Sequence, residues 1–116
     1  MITTKKDFER FKAEFLRLMG KYSLNGYHVF FRHEPLDGSY ASIKVDQSGK
    51  SAVAYYSSKL HKDDAKHHNP EGSAKHEVIH LLLSRLSWLG SCRHIMQEDI
   101  WEEEEKLVRI LEKALQ

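Results

Sequence analysis

A short helical motif with two histidines on one face constrains this chain more than any other feature. In His76-Glu77-Val78-Ile79-His80 the two imidazoles are four residues apart, and side chains at that spacing lie one turn apart on the same side of a helix. Two imidazoles in that arrangement can reach a single zinc ion. The glutamate after the first histidine is placed to exchange a proton with a water molecule beside the metal. The motif therefore predicts a zinc site with a proton-transfer group next to it.

The sequence around the motif has the signals of a well-defined helix. Asn69-Pro70-Glu71 supplies a capping side chain, a proline at the first helical position and an acid in the first turn, and Gly90 marks the end. The predicted apolar stripe of this helix consists of Ile79, Leu82, Leu86 and Leu89. Burying unpaired polar groups on so apolar a helix costs roughly 1–3 kcal/mol each, which favours a bound metal over two ordinary histidines.

The rest of the chain reads as one helix, three strands and a last helix. Thr4 caps a first helix, Asp7 completes a capping box, and Gly20 is the expected stop. Apolar side chains then alternate with polar ones over 27–32, 41–46 and 52–56, with turn residues at Gly38 and at 46–49. We expect a three-stranded antiparallel meander, a loop over 60–69, and a final helix from about Asp99 to Leu115. The predicted class is α+β, with the sheet packed against the motif helix.

Composition limits what such a domain does. The 116 residues, 41% hydrophobic, fit a single domain over 1–116 with one modest core. Eighteen basic and seventeen acidic residues give a net charge of +1, which disfavours nucleic acid as a partner, and no apolar stretch is long enough for a membrane span. No signal peptide is recognisable, and Cys92 is the only cysteine. We expect a cytoplasmic monomer without nucleic-acid or membrane partners.

A catalytic zinc ion needs a third protein ligand, and the last helix offers one. The candidates are Cys92, His94, Asp99 and the four consecutive glutamates 102–105. The apolar positions of the last helix define its expected buried stripe: Ile100, Trp101, Leu107, Val108, Leu111, Ala114 and Leu115. Glu104 falls nearest the centre of that stripe, and a carboxylate there needs a partner such as zinc. Glu104 is therefore the predicted ligand, with Glu105 and then Glu103 as alternatives.

The motif, read as Lys75-His76-Glu77-Val78-Ile79-His80-Leu81-Leu82-Leu83 and followed about twenty residues later by a glutamate-rich helix, resembles the minimal gluzincin-type zinc metallopeptidases of phages and bacteria. The resemblance covers most of the chain in the order of its elements. It implies a zincin-like fold and hydrolysis of a peptide or protein substrate. It also implies Zn²⁺ held by His76, His80 and a glutamate of the last helix.

In such an enzyme Glu77 is the general base. It accepts the proton of the activated water and passes it to the leaving amine. Tyr56, Arg93 and His94 are all possible donors to the oxyanion. An outer strand, Ala52 to Ser58, is a possible docking edge for substrate, although a plain surface strand is slightly favoured.

Two further functions remain open. The first alternative is a non-catalytic binding or regulatory module that contains the zinc site. The second is an amidohydrolase that acts on a non-peptide substrate with the same residues. Retention of Glu77 argues against the first, because zinc binding alone needs no general base. A second metal site at His61, His67 and His68 is a weaker possibility than three solvated histidines.

Overall fold

A computed structural model describes residues 1–61 and 68–115. In chain order its elements are helix α1 (Lys5–Lys21), strands β1 (His28–Glu34), β2 (Ala41–Asp46) and β3 (Ser51–Ser57), and helices α2 (Pro70–Ser91) and α3 (Gln97–Ala114). The described chain is thus α+β, with one three-stranded sheet and three helices. None of the described helices is both long and apolar enough to cross a membrane.

The ends of the helices follow the sequence signals closely. The Thr4 hydroxyl accepts from the Asp7 backbone N–H, and the Asp7 carboxylate accepts from the Thr4 N–H, which completes the predicted capping box of α1. The Asn69 side chain caps α2 by accepting from the Gly72 N–H at 3.0 Å, with Pro70 at the first helical position. These local contacts confirm the predicted starts of α1 and α2. Most of the predicted loop over 60–69 lies outside the described residues.

The sheet has the order β1-β3-β2, which corrects the predicted antiparallel meander. Strand β1 pairs in parallel with β3, from His28↔Ser51 to Glu34↔Ser57. Strand β2 pairs antiparallel with β3, from Asp46↔Ser51 to Ala41↔Tyr56. The prediction was wrong because alternation fixes the face of each side chain but not the neighbour of each strand. Only the 47–50 turn between β2 and β3 is short enough for a tight hairpin. The longer 35–40 connection lets β2 bypass β1 and join the far side of β3.

The core lies between one face of the sheet and helices α1 and α2. The central strand β3 turns Ala52, Ala54 and Tyr56 inward, and all three are almost fully buried. Aromatic rings of α1 pack on this face: the centroids of Phe11 and Tyr56 are 5.0 Å apart, and Phe15 meets the ring of Phe31 edge-on at 5.2 Å. Helix α2 contributes four buried positions to the same core: Ala74, Val78, Leu81 and Leu82. The sheet and α1 therefore hold the motif helix from one side.

The apolar stripe of α2 differs from the predicted one at one end. Leu82 and Leu89 are buried as expected, whereas Ile79 is 39% exposed. Val78 and Leu81 take the inward positions, so the buried face of the helix is rotated away from Ile79. The rotation leaves His76 and His80 on the open side of the helix.

Candidate metal centre

The two motif histidines meet on the open face of α2. Their Nε2 atoms are 3.2 Å apart and their ring centroids 4.8 Å apart, and both side chains are exposed. His76 and His80 share one helical face because four residues make slightly more than one turn. Two ring nitrogens at this distance share either a proton or a cation, since two unprotonated lone pairs repel each other. The arrangement brings together two of the three predicted metal ligands.

Glu77 lies beside the histidines but turns inward. It is only 5% exposed, and the charges that act on its carboxylate are those of His76 and His80. Burial raises the pKa of its carboxyl group, while His76 and then His80 act in the opposite direction. A carboxylate this buried is costly to a folded chain unless neighbouring charges or hydrogen bonds offset its desolvation.

An open groove runs between β2 and α2 and passes the motif. Its larger part has a volume of about 770 Å³, and an adjoining part of about 470 Å³ lies toward the start of α2. His76 and Glu77 line both parts, and His80 lines the larger one. A molecule in this groove would therefore lie beside His76, Glu77 and His80.

Strand β2 forms the wall of the groove opposite α2. Because β2 pairs only with β3 in the described sheet, its other edge has backbone groups that no strand satisfies. The stretch Ala52 to Ser58, suggested from the sequence as a docking edge, is instead the central strand β3 and has neighbours on both sides. The edge that faces the motif belongs to β2.

A hydrogen-bonded chain of side chains closes one end of the groove. The Tyr27 hydroxyl donates to Gln47 Oε1 at 3.1 Å, Gln47 Nε2 donates to Ser84 Oγ at 2.7 Å, and Ser84 Oγ donates to the Leu81 carbonyl at 2.7 Å. Ser84 follows His80 by one turn, and both Gln47 and Ser84 line the larger part of the groove. The chain fastens the β2–β3 turn to the motif helix.

Helix α3 places its glutamates differently from the prediction. Glu103 is the buried member of the run, at 6% exposure, and its carboxylate lies 3.3 Å from Arg85 Nε and 3.6 Å from Lys106 Nζ. Arg85 follows His76 by nine residues, or about two and a half turns, so it lies on the opposite side of α2. Glu103 is thus committed to an ion pair on the far side of the helix from the histidines.

Glu104 is exposed, so the prediction that it faces the core is wrong. The apolar positions of α3 cover a wider arc than α2 can bury. Trp101, Val108 and Leu115 remain exposed, while Leu107 and Ala114 make the buried contact. Including the exposed positions moved the expected centre of the stripe by one residue. Glu105, the first alternative, is also exposed and pairs with Arg109 at 3.3 Å.

The third ligand stays a prediction. Over the described ranges 1–61 and 68–115, no three His, Cys, Asp or Glu side chains form a group able to hold a metal. Cys92 and His94 follow the end of α2 at Ser91, which is eleven residues and about 16 Å of helix beyond His80. The Asp99 carboxylate accepts from the Met96 N–H at 3.2 Å and caps α3. Glu104 is exposed and lies on α3, next in the chain to Glu103.

The other predicted site residues lie away from the groove or are engaged elsewhere. Tyr56 is 1% exposed, and its hydroxyl is hydrogen-bonded to His68 Nε2, so it is not available as an oxyanion donor. Burial is also the main cause that raises the Tyr56 pKa. Arg93 and His94 lie beyond the end of α2. Of the suggested second metal site, His67 lies outside the described residues and His68 is engaged by Tyr56.

Two residues of the groove were not found from the sequence. Tyr40 immediately precedes β2 and lines the smaller part of the groove together with His76 and Glu77. Gln47 lies in the β2–β3 turn. Neither belongs to a recognisable motif, and both reach the site only because β2 is the edge strand. Knowledge of the strand order was the missing information.

No protein-family model, curated protein or solved structure matches this chain. The geometry of the groove and its residues is therefore the basis on which a function is assigned.

Proposed function

We propose that this chain is a zinc-dependent peptidase of minimal zincin-like type, with His76 and His80 as metal ligands and Glu77 as general base. The observation that carries the proposal is the convergence of both imidazoles with a buried carboxylate in one open groove. Such a combination has a clear use in hydrolysis and no evident use in packing.

The separation of the histidine nitrogens supports zinc as the metal. Two nitrogens that each lie about 2.05 Å from one tetrahedral zinc ion are separated by about 3.3 Å. The observed Nε2–Nε2 distance is 3.2 Å. Little rearrangement of either side chain is then needed for both nitrogens to coordinate the same ion. Glu104 is proposed as the third ligand, since Glu103 is held by Arg85.

Glu77 is suited to proton transfer by its surroundings. A bound zinc ion would supply the Lewis acid that lowers the pKa of a water molecule beside it toward about 7. Glu77 follows His76 directly and lines the same groove, so its carboxylate would be placed to accept the proton of that water. The same carboxyl group then returns the proton to the leaving amine, which regenerates the carboxylate.

The free edge of β2 suits an extended peptide. A substrate that adds to this edge as a further strand satisfies the open backbone groups of β2 and runs past His76 and Glu77. Tyr40, at the start of that edge, lines the same part of the groove as His76 and Glu77. A peptide is favoured over a small amide because the groove is elongated and open.

One observation favours a second candidate, a non-catalytic zinc-containing module that binds an extended partner. The described residues supply only two assembled ligands, and two histidines alone hold zinc weakly. The two candidates differ in the role of Glu77, which only an enzyme requires.

Replacement of Glu77 by Gln tests the proposal. We expect zinc-loaded wild type to hydrolyse casein, and Glu77→Gln to bind the same amount of zinc while losing activity by at least about 100-fold, because an amide cannot accept the proton. Zinc content is measured by elemental analysis and hydrolysis by the release of new amino termini. Glu112→Gln, an exposed glutamate of α3, is the matched control and should retain full activity. Hydrolysis that survives in Glu77→Gln would show that Glu77 is not the base.

A further inference from the structure

Gln47 has a feature that the proposed chemistry does not use: a side-chain amide fixed in one orientation at the end of the groove. Its Oε1 accepts from Tyr27 and its Nε2 donates to Ser84. With Ser84 Oγ donating to the Leu81 carbonyl, its oxygen is left as the acceptor for Gln47 Nε2, and Gln47 Oε1 then faces the Tyr27 hydroxyl. Tyr27, just before β1, and Ser84, on α2, thus hold the Gln47 amide from two sides.

One hydrogen of this amide remains available. An amide nitrogen carries two hydrogens, Ser84 takes one, and no described residue takes the other. Gln47 is half-buried, lines the groove, and follows directly after Asp46, the last residue of the free edge strand. A donor at that position lies in the same groove wall as Ile43 and Val45 of β2.

We propose that Gln47 is a substrate-binding residue that donates its second amide hydrogen to a main-chain carbonyl of a peptide bound along β2. Tyr27 and Ser84 are its positioning residues. The inference rests on the proposed function for the peptide and the groove, and it adds the anchor that sets how far the peptide reaches past His80. Because the amide is already oriented in the free protein, little conformational entropy is lost when the peptide binds.

The role of Tyr27 separates positioning from direct contact. Tyr27 precedes β1 and does not line the part of the groove that holds the histidines. Its hydroxyl lies 3.1 Å from Gln47 Oε1 and 3.4 Å from Ser84 Oγ, and both of these residues line the groove. Tyr27→Phe keeps the ring and removes the contact that orients the amide, so it should weaken peptide binding less than loss of Gln47 itself.

The experiment measures binding and turnover separately. Binding uses fluorescein-labelled casein and zinc-loaded protein in a Glu77→Gln background, where the peptide is not cleaved. We expect Gln47→Leu to raise the Kd about 5- to 10-fold, as is typical for one lost hydrogen bond to a bound ligand, and Tyr27→Phe to raise it about 2- to 3-fold. In the Glu77 protein, Gln47→Leu should raise KM by a similar factor and leave kcat within about twofold. Ser48→Ala, an exposed change in the same turn, is the control.

The outcomes distinguish this inference from the proposed function. Casein binding that depends on Gln47, without hydrolysis by the Glu77 protein, supports the inference and contradicts the peptidase. Hydrolysis with an unchanged KM in Gln47→Leu supports the peptidase and overturns the inference. Absence of casein binding in the Glu77→Gln background also overturns it. A fall in kcat alone, or an equal loss in Ser48→Ala, would assign Gln47 a purely structural role.

Discussion

Glu77 occupies an environment that disfavours the charge on which its proposed role depends. Its carboxyl group is nearly inaccessible, and burial raises its pKa above the ordinary value of 4.5. In the folded chain the group therefore binds its proton more tightly than in the unfolded chain. The folded state then loses stability as the pH rises from the ordinary pKa through the raised one, because more of the protein must fold with the charge buried. The buried carboxyl group therefore lowers the stability of the folded chain at neutral pH.

We expect Glu77→Gln to be more stable than wild type at neutral pH in the absence of metal, by on the order of 1 kcal/mol, because the amide is neutral. The gain should shrink as the pH falls toward 4, where the wild-type carboxyl is protonated in both states. Thermal unfolding with a chelator present, between pH 4 and pH 8, measures the difference. A gain that is equal at both ends of this range would contradict the assigned cause. Glu112→Gln reports the general effect of losing one carboxylate.

At the scale of single elements, the sequence predicted helices better than it predicted their orientation. The caps of α1 and α2 were predictable because each depends on residues three positions apart in the chain. The buried face of α3 was not, since it depends on how much of a wide apolar arc α2 covers. A shift of one residue rotates a helix face by about 100°, which is enough to exchange Glu104 for Glu103.

The different environments of the neighbouring residues Glu103, which is buried, and Glu104, which is exposed, can be measured. Glu103→Ala should lower the free energy of unfolding by about 1–2 kcal/mol, because it removes a buried carboxylate that pairs with Arg85, and should leave zinc content unchanged. Glu104→Ala should change stability by less than about 0.5 kcal/mol and lower zinc retention after dialysis. Urea unfolding and elemental analysis of both variants measure these effects. Zinc loss in Glu103→Ala alone would require α3 to rotate when zinc binds.

The N-terminal cap of α2 controls the helix that carries the motif. Asn69→Ala should destabilise the chain by about 1 kcal/mol, because the Gly72 N–H loses its acceptor. Asn69→Asp keeps a capping oxygen and should remain close to wild type. Urea unfolding of the two variants measures the contribution of the cap. Equal stabilities for Ala and Asp at this position would show that solvent replaces the cap at no cost.

At the scale of the whole molecule, the sequence was sufficient for class but not for topology. Periodicity predicted three strands, and all three are present, yet the parallel pairing of β1 with β3 has no local signal. Because the strand order was not predictable, the residues that β2 and its turns bring to the candidate site were not predictable either. Its helical residues, His76, Glu77 and His80, were found directly, whereas Tyr40 and Gln47 become part of the site only through the position of β2.

Zinc should stabilise the folded chain as a whole. A ligand that binds only the folded state at a free concentration of 100 times its Kd adds about 2.7 kcal/mol, or roughly 10 °C in Tm for a chain of this size. We expect that shift for wild type and its reversal by a chelator. The double variant His76→Ala/His80→Ala should show no shift, and His28→Ala, an exposed histidine of β1, should behave as wild type. A shift that persists in the double variant would place the metal elsewhere.

The strand order also has a consequence for how the chain folds. Partners in the β2–β3 hairpin begin only five residues apart, at Asp46↔Ser51, whereas every β1–β3 pair is separated by 23 residues. Closing the shorter loop costs less chain entropy, so the hairpin is expected to form first and β1 to add to it afterwards. The wall of the groove, including the edge offered to a peptide, therefore forms from the most local contacts of the sheet. Mutations in β1 should slow a later step of folding and leave the formation of that wall largely unaffected.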